Sequence, residues 1–464
     1  MNGVFAMQRL ALFVLGMWML GATGCNKENP LFCEGPNADD SCPKPDSAPR
    51  CMSNGDCSGA TPVCLLPEGT CVQCTDADHS ACANPTPVCG DDHTCRGCEA
   101  HSECDAWAGV CVFADQSCAG PDQVAYVAPG GTGTPPNCDR GTPCSDLADA
   151  LDANKELIKV AGGTIKDSGG NATEIEGRTV SIFGESSTVI DRDGDGSILV
   201  VKHNGPGTTN VSIYDLTISG ASGAGANGIN LEPNGGNPTL KLVGVKLASN
   251  EGFGIEASGG QLTMIRTNVT DNEEGGIAAS GSMGSLMISR SVISSNQGGG
   301  IMVTAGTFVI RNNIIIYNGV PDGANATQTG GAVLVPNSTG SAFEQNTVAY
   351  NKNDGSLYRA GVTCGGANVM AGGNIVYKNT EAMTTSDATQ RGGGCQFGNT
   401  LALGTSTGDL GFAQPTSSPF DFHLTINSPT SVRDAGGACT GEDFDGESRP
   451  NGNGCDLGAD EFYP

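Results

Sequence analysis

The amino-acid sequence predicts an all-β protein: a right-handed parallel β-helix with a short N-terminal capping helix, preceded by a small disulfide-rich repeat region. Two observations carry this prediction. Glycine accounts for 70 of the 464 residues and charged residues for only 16%, a composition that suits tight turns and lacks the long charged side chains of surface helices. Two internal repeats also follow one another along the chain, the first built on cysteine and the second on asparagine with apolar residues.

The charge balance narrows the range of partners. Asp and Glu outnumber Lys and Arg by 50 to 23, which gives a net charge of -27. A surface of this kind repels phosphate backbones, so we expect no nucleic-acid partner. The chain also has 21 cysteines, and such a number is typical of proteins that fold where disulfides persist. The sequence therefore indicates an exported protein.

The first 24 residues are typical of an export signal. Arg9 is followed by an apolar run from Leu10 to Leu20, which is too short to span a bilayer. The run leads to Ala22-Thr23-Gly24-Cys25, which resembles the lipobox of bacterial lipoproteins. The resemblance implies a lipoprotein signal peptide over residues 1–24, a lipid on Cys25, and anchoring at the outer membrane or cell surface. An ordinary cleaved signal is the alternative, but removal of Cys25 leaves an even number of cysteines that can all pair.

Residues 25–50 are interpreted as a linker and residues 51–122 as tandem cysteine-rich repeats. The repeats contain three sets of four cysteines: Cys51, Cys57, Cys64 and Cys71; Cys74, Cys82, Cys89 and Cys95; and Cys98, Cys104, Cys111 and Cys118. Units this small cannot build a core, so each is predicted to be held by two disulfides whose connectivity stays open. Cys33 and Cys42 are predicted to form an additional pair. Zinc binding at the two Cys-x-x-Cys motifs is the alternative.

Residues 123–464 carry the second repeat. Its anchors are asparagines that recur at intervals of 22 to 33 residues, namely Asn250, Asn272, Asn296, Asn318, Asn351 and Asn379. The residues three and eight positions before each anchor are always apolar, as with Leu247 and Leu242 before Asn250. Such columns require each turn of chain to lie on the one before, strand over strand, which describes a parallel β-helix. A β-sandwich is the alternative, but it has no reason to keep the columns in phase.

The anchor asparagines themselves suit a particular local structure. Asparagine tolerates left-handed backbone conformations, and its amide both donates and accepts hydrogen bonds. We therefore expect each anchor to occupy a left-handed bend, with its side chain bonded to the asparagine of the next coil.

Both ends of the predicted β-helix have candidate caps. Residues 145–154 are predicted to form a short amphipathic helix. Together with Tyr126-Val127-Ala128-Pro129-Gly130-Gly131 and Gly141-Thr142-Pro143-Cys144, this helix resembles the start of the pectate-lyase-like β-helix superfamily. The tail, residues 443–450 and 456–462, is similar to secreted β-helix proteins with choice-of-anchor domains. The resemblance implies the fold and leaves the activity open, because such scaffolds serve lyases, hydrolases, adhesins and inert surface proteins.

The cysteines beyond Cys118 are predicted to form three disulfides. The predicted pairs are Cys138–Cys144, Cys364–Cys395 and Cys439–Cys455. For the second pair, Cys395 is aligned with Val362 one coil earlier, which places Cys364 on the neighbouring strand within bridging distance.

No complete catalytic constellation is found in the sequence, and the signatures of β-helix polygalacturonases are missing. The candidate metal site is Asp191-Arg192-Asp193-Gly194-Asp195-Gly196. Its carboxylates have the spacing of a calcium loop, but Lys202 stands where an EF-hand needs glutamate. Asp191, Asp193 and Asp195 are therefore candidate Ca²⁺ ligands, with a solvated turn between coils as the alternative. Ca²⁺ is the one candidate cofactor.

Two residue pairs are candidates for glycan binding. Arg266 and Arg290 each stand six residues before an anchor, so we expect them one strand spacing apart. They would either bind an anionic sugar or remain a solvent-screened pair. Tyr317 and Tyr350 each stand one residue before an anchor and are predicted to face outward, where they would either stack on a sugar ring or pack on each other.

The function that these features favour is a lipid-anchored cell-surface protein for adhesion or glycan binding, without catalysis. The alternatives are a calcium-dependent polysaccharide lyase or glycoside hydrolase, and a structural envelope protein. The expected partners are the membrane, through the lipid anchor, and a polysaccharide or other surface ligand. The longer coils at residues 319–329 and 353–359 are where we expect a binding groove.

Overall fold

The computed structural model describes residues 50–104, 109–167, 172–192, 194–205, 207–320, 327–365, 369–404, 410–437, 439 and 441–464. Cys25, Cys33, Cys42 and Asp193, to which the sequence assigns roles, lie outside these residues. Within the described ranges, no helix is both long enough and apolar enough to cross a lipid bilayer.

The chain divides into two compact units. One contains the described residues up to Ala83 together with Cys89–Cys95, and the other contains Asn84–Val88 and Arg96–Pro464. The third cysteine repeat therefore belongs to the same unit as the strands that follow it. The division between units falls within the cysteine-rich region instead of at residue 122.

The cysteine repeats share one pattern of disulfides. In each set the first cysteine bonds the third and the second bonds the fourth: Cys51–Cys64, Cys57–Cys71, Cys74–Cys89, Cys82–Cys95, Cys98–Cys111 and Cys104–Cys118. Because these sulfurs are paired with one another, they leave no thiolates for the zinc alternative. In the described part of these repeats, the regular structure consists of two 3₁₀ turns, Asn54–Asp56 and His101–Cys104, and of short strands at Val63–Leu65, Thr70–Val72, Val88–Cys89, Cys95–Arg96, Cys111–Val112 and Ser117–Cys118.

The strands that follow stack in parallel to form a β-solenoid of about nine turns, as the sequence predicted. Each complete turn passes through three strand columns. Column 1 consists of Val124–Val127, Leu157–Val160, Thr179–Phe183, Asn210–Tyr214, Thr239–Val243, the second halves of Phe253–Ile265 and Gly275–Ser289, Thr307–Arg311, Ser341–Glu344 and Val369–Met370. Column 2 consists of Gly163–Asp167, Thr188–Arg192, Thr217–Ser219, Lys246–Ala248, Asn268–Thr270, Val292–Ser294, Ile314–Ile316, Thr347–Ala349, Ile375–Tyr377 and Leu401–Leu403. Column 3 consists of Thr173–Glu176, Leu199–Lys202, Ile229–Glu232, the first halves of Phe253–Ile265 and Gly275–Ser289, Ile301–Val303, Ala332–Leu334, Val362–Cys364 and Arg391–Gly393.

The apolar columns of the sequence are the core of the β-helix. In column 1, Leu240 pairs with Leu262, and Leu262 pairs with Leu286 in the next coil. In column 2, Leu247 pairs with Val269 in the same way. All five side chains are at most 2% exposed. The vertical stacking that the repeat predicted is therefore confirmed, and it continues as one buried cluster from Ala125 to Val376.

The anchor asparagines form a buried ladder between coils. In Asn250, Asn272, Asn296, Asn318 and Asn351, Nδ2 donates to Oδ1 of the next anchor at 2.8–2.9 Å. Asn379 ends the ladder by donating to Gln390 Oε1 at 2.9 Å. The expected amide bonds are thus present.

The expectation that the anchors adopt left-handed backbone is wrong. The left-handed residue is the one before each anchor: Ser249, Asp271, Ser295, Tyr317, Tyr350 and Lys378, with φ between 51° and 58°. An anchor must turn its amide inward to reach the next coil, so its predecessor makes the corner.

The N-terminal helix is shorter than the sequence predicted. It spans Leu147–Asp152, here named α1, and Asp146 caps it by accepting a hydrogen bond from Asp149 N at 2.9 Å. Leu147, Ala150 and Leu151 are buried. A disulfide joins Cys138 to Cys144 just before α1, and a 3₁₀ turn, Pro121–Gln123, precedes column 1.

The disulfide between Cys364 and Cys395 is present with Cα atoms 5.3 Å apart, but the expected register is wrong. Val362 pairs with Arg391, and Cys364 pairs with Gly393, so Cys395 lies beyond the strand. Gly393 turns the chain at φ 76°, and Gly394 N donates to Cys364 O at 3.2 Å. This turn brings Cys395 back toward its partner.

The C-terminal segment, residues 410–464, lies against the outer face of column 2. Phe412, Phe422 and Leu457 pack in one cluster with Ile375 and Tyr377. A disulfide joins Cys439 to Cys455. The remaining short elements are the strands Lys352–Asn353, Thr380–Glu381, Thr384–Thr385, Phe412–Gln414, Asp421–Leu424, Gly441–Glu442 and Ser448–Arg449, and the 3₁₀ turn Asp387–Thr389.

Candidate binding cleft

A cleft of about 880 Å³ opens beside the first coils of the β-helix. The third cysteine repeat forms one wall, and the corner between columns 1 and 2 forms the other. The charged or titratable side chains that line it are His101, Tyr126, Arg140, Lys159, Glu185, Asp215 and Lys246. The volume falls within the usual range for small-ligand sites.

Stacked corners between columns 1 and 2 build one wall of the cleft. Gly184, Asp215 and Gly244 follow one another in successive coils, and each backbone N–H donates to a carbonyl of the next coil at 2.9–3.1 Å. Asp215 and Gly244 have left-handed φ values of 53° and 66°. A Cβ on Gly244 would collide with the Asp215 carboxylate, so the close approach of that side chain favours glycine here, although Asp215 makes the same left-handed corner one coil earlier.

The third cysteine repeat packs on the outer face of column 1. Val110 and Ala119 are buried against Tyr126 and Phe183. The His101 ring also lies 4.5 Å from the Phe183 ring, in an edge-on arrangement. This packing fixes the position of the imidazole in the cleft wall.

The hydrogen bonds of His101 determine which of its nitrogens carries the proton. Nδ1 accepts a hydrogen bond from Cys111 N at 3.0 Å. In the neutral ring Nε2 is therefore protonated. Nε2 is buried and has no hydrogen-bond partner among the described residues. Burial, and then the positive charge of Lys159, lower the pKa of His101 to about 4, so the ring is a neutral donor at pH 7.

The two acidic residues of the cleft differ in their surroundings. Glu185 Oε1 lies 3.8 Å from Lys159 Nζ. Partial enclosure raises the pKa of Asp215, although Arg266 and Lys159 act in the opposite direction. Asp215 consequently takes up a proton more readily than an ordinary aspartate does.

Arg266 and Arg290 lie in the same corner of adjacent coils, as expected, since Ile265 pairs with Ser289, but they have separate roles. Arg266 follows Gly244 in the same stacked corner, since Gly244 N donates to Ile265 O and Arg266 N donates to Ser289 O. It thus stands one coil beyond the cleft wall. Arg290 instead binds the C-terminal segment: Nη1 contacts Glu442 Oε2 at 2.6 Å and Nη2 donates to Asp445 O at 2.6 Å.

The tyrosine pair expected to present sugar-binding rings is covered. Tyr317 and Tyr350 do stack, with ring centroids 5.2 Å apart and planes 12° from parallel. Phe420 packs on Tyr317 at 4.4 Å, and Tyr317 Oη donates to Pro415 O at 2.5 Å. The two rings belong to the buried interface with the C-terminal segment. Mutual packing, the alternative given for this pair, describes them better than an open platform.

The predicted calcium loop is described in part. Asp191 is half-buried and its Oδ1 accepts a hydrogen bond from Arg192 N at 2.7 Å, whereas Asp195 is exposed. Neither residue belongs to a cluster of three potential metal ligands among the described residues. Because Asp193 lies outside those residues, Ca²⁺ binding at this loop stays a prediction.

Sequence reasoning missed most of the cleft. His101, Arg140, Lys159 and Lys246 come from the third cysteine repeat, a loop and two strand columns. Two features of the sequence could have indicated the cleft. Basic residues are scarce, 23 in all, so any group of them is informative, and the coil register places Lys246 beside Thr217.

The comparison with family models supports the fold. Residues 201–399, less than half of the chain, match a family model described as "Right handed beta helix region". No curated protein matches. Among solved structures, "Crystal structure of pectate lyase Pel9A" is similar, at 17% sequence identity and a TM-score of 0.48, over 73% of this chain and 96% of that chain. The family match adds handedness to the parallel stacking, so the predicted fold class, a right-handed parallel β-helix, is confirmed.

Proposed function

We propose that this protein is a lipid-anchored surface protein that binds an acidic polysaccharide in the cleft. One observation carries the proposal: Arg140, Lys159 and Lys246 converge on a single concavity in a chain whose net charge is -27. The negative charge on the rest of the surface repels an anionic polymer. Such a polymer is therefore expected to bind where the cations are clustered. Membrane anchoring through Cys25 is part of the proposal and rests on the lipobox resemblance alone.

The remaining groups of the cleft suit a sugar chain. The Nε2–H of neutral His101 offers a buried donor for a hydroxyl or carboxylate oxygen. A buried donor without a partner costs free energy, and a ligand oxygen would remove that cost. Arg266 extends the positive charge one coil beyond the cleft, so a polymer longer than the cleft could follow the corner.

Calorimetric titration with polygalacturonate and with neutral dextran, as oligosaccharides of equal length, tests the proposal. The protein is expected to bind the acidic oligosaccharide only. Lys246→Glu should weaken binding at least about 10-fold, or about 1.4 kcal/mol. Lys352→Glu is the matched control because Lys352 is exposed, lies outside the cleft and makes the same change in net charge. Equal weakening by both variants, or equal binding of dextran, would contradict the proposal.

A second candidate is polysaccharide cleavage in the same cleft. Glycoside hydrolysis uses two carboxyl groups, one of which has a raised pKa and acts as the acid. Asp215 has a raised pKa, and Glu185 lines the same cleft. This candidate predicts that the protein releases new reducing ends from the bound oligosaccharide. Asp215→Asn should abolish that release and still bind the oligosaccharide. The calcium-dependent form of the reaction rests on Asp191, Asp193 and Asp195. A structural envelope protein would show neither binding nor cleavage.

A further inference from the structure

The C-terminal segment contains a cluster of one imidazole and three carboxylates, here named the His423 cluster. His423 and Asp421 lie in the strand Asp421–Leu424, Asp445 lies in the turn after Gly441–Glu442, and Asp460 lies near the end of the chain. One ligand atom each from His423, Asp445 and Asp460 lie within 4.8 Å of one another. Three segments that are distant in sequence therefore bring these groups to one point.

The His423 ring contacts one carboxylate at each of its two nitrogens. Its Nδ1 lies 2.5 Å from Asp421 Oδ1, and its Nε2 lies 2.8 Å from Asp445 Oδ2. In metalloproteins a histidine ligand commonly has its second nitrogen bonded to a carboxylate, which orients the ring and increases its basicity. Asp421 occupies that position relative to His423.

Asp460 provides an independent indication of a ligand. The residue is only 5% exposed. Its Oδ2 accepts a hydrogen bond from Leu424 N at 2.6 Å, whereas Oδ1 accepts none from the described residues. This buried carboxylate therefore keeps one oxygen without a hydrogen bond from the described residues, next to an imidazole and a second carboxylate.

We propose that His423, Asp445 and Asp460 bind one divalent transition-metal ion of the Zn²⁺ type, with Asp421 orienting the histidine. Imidazole nitrogen and carboxylate oxygen are both Zn²⁺ ligands, and three protein ligands with a water in the fourth position form an open zinc site. Imidazole disfavours Ca²⁺ and Mg²⁺, which prefer oxygen ligands alone. The ion would tie the strand at His423, the turn at Asp445 and the chain end together. The proposal is independent of the cleft and its polysaccharide.

The test uses the full chain, treated with a chelator and then titrated with ZnSO₄ in a calorimeter. One equivalent of Zn²⁺ is expected to bind and to raise the melting temperature, while Ca²⁺ at the same concentration is expected to do neither. Asp445→Asn should weaken Zn²⁺ binding at least about 10-fold, and Asp421→Asn should weaken it about 10-fold through the histidine. The Asp445 side chain is 42% exposed and its carboxylate contacts His423, so this variant is expected to fold normally.

His79→Gln is the matched control, because His79 is exposed and lies in the second cysteine repeat. This variant should bind Zn²⁺ as the unchanged protein does. Zn²⁺ binding without defined stoichiometry, or binding that Asp445→Asn leaves unchanged, would overturn the proposal. Equal binding of Ca²⁺ would also overturn it, since the histidine would then have no role.

Discussion

At the scale of single residues, the buried asparagine ladder is the most demanding feature of the β-helix. Asn296 Nδ2 donates to Asn318 Oδ1 at 2.9 Å and to Val269 O at 3.0 Å, and its Oδ1 accepts from Asn272 Nδ2 at 2.8 Å. Removing this amide leaves groups on both neighbouring coils without partners, and each unsatisfied buried group costs about 1–3 kcal/mol.

Asn296→Ala is therefore expected to lower the free energy of unfolding by about 3 kcal/mol, measured from urea denaturation followed by circular dichroism. Asn210→Ala is the control, because Asn210 is exposed and its Nδ2 makes only long contacts of 3.4–3.5 Å. That variant should stay within about 0.5 kcal/mol of the unchanged protein. Equal effects of the two substitutions would contradict the ladder's role.

His101 makes stability depend on pH. The unfolded chain binds a proton on this residue near pH 6.5, whereas the folded chain does so only near pH 4. Since the unfolded state binds more protons in between, the contribution is complete above pH 6.5 and is lost as the pH falls from 6.5 toward 4. His101→Gln should therefore flatten the stability profile in that window, measured by urea denaturation at pH 7.5, 6, 5 and 4.5. A drop as steep as in the unchanged protein would contradict this prediction.

Some of these residue properties could be read from the sequence, and others could not. The recurring asparagines predict a ladder because their spacing follows the coil. The same spacing does not say whether Asn318 or Tyr317 makes the left-handed corner, since that depends on the direction in which each side chain points. The environment of His101 was also beyond prediction, because it arises where the third cysteine repeat meets Phe183 and Lys159.

At the scale of elements, Arg290 adds directional contacts to the apolar packing that holds the C-terminal segment on the β-helix. Arg290 Nε donates to Phe444 O at 3.1 Å, Nη2 donates to Asp445 O, and Nη1 pairs with Glu442. One guanidinium thus holds three successive parts of the tail. Without it, the turn at residues 441–447 should open more often.

Arg290→Ala is expected to increase protease cleavage within residues 441–447 at least about 10-fold, which corresponds to about 1.4 kcal/mol of local opening. Cleavage sites would be mapped by mass spectrometry during brief digestion of the native protein. Arg311→Ala is the matched control, because Arg311 forms its ion pair with Glu344 in the next coil and makes no hydrogen bond or ion pair with the described residues of the tail. If the turn in Arg290→Ala stays as resistant to protease as in the unchanged protein, Arg290 does not hold the tail.

The strands were predictable and the attachment of the tail was not. Columns 1 and 2 follow from the apolar positions before each anchor, since residues such as Leu242 and Leu247 must face one core. The residues on the outer face of column 2 do not follow a repeating apolar pattern of this kind. Ile314, Ile316 and Tyr377 are apolar on that face because the tail covers them, and only the folded chain brings residues so distant together.

At the scale of the whole molecule, two parts of the chain are stabilised by different means. The β-helix has one continuous apolar cluster from Ala125 to Val376. The cysteine repeats instead rely on disulfides that join residues 13 to 15 positions apart. Each such crosslink is worth about 3 kcal/mol, chiefly by restricting the unfolded chain. Reduction should therefore affect the two parts unequally.

After reduction and alkylation without denaturant, proteinase K is expected to degrade residues 50–95 rapidly and to leave a fragment that contains the β-helix from Val124 onward. The β-helix also contains disulfides, but Cys364–Cys395 joins coils that already stack through the pairing of Val362 with Arg391, and Cys138–Cys144 closes a short loop. Their loss removes little from a core built by strand stacking. The oxidised protein under the same protease is the control and should keep all three repeats. If the β-helix disappears at the same rate as residues 50–95, its stability depends on the disulfides and the apolar columns do not suffice to hold it.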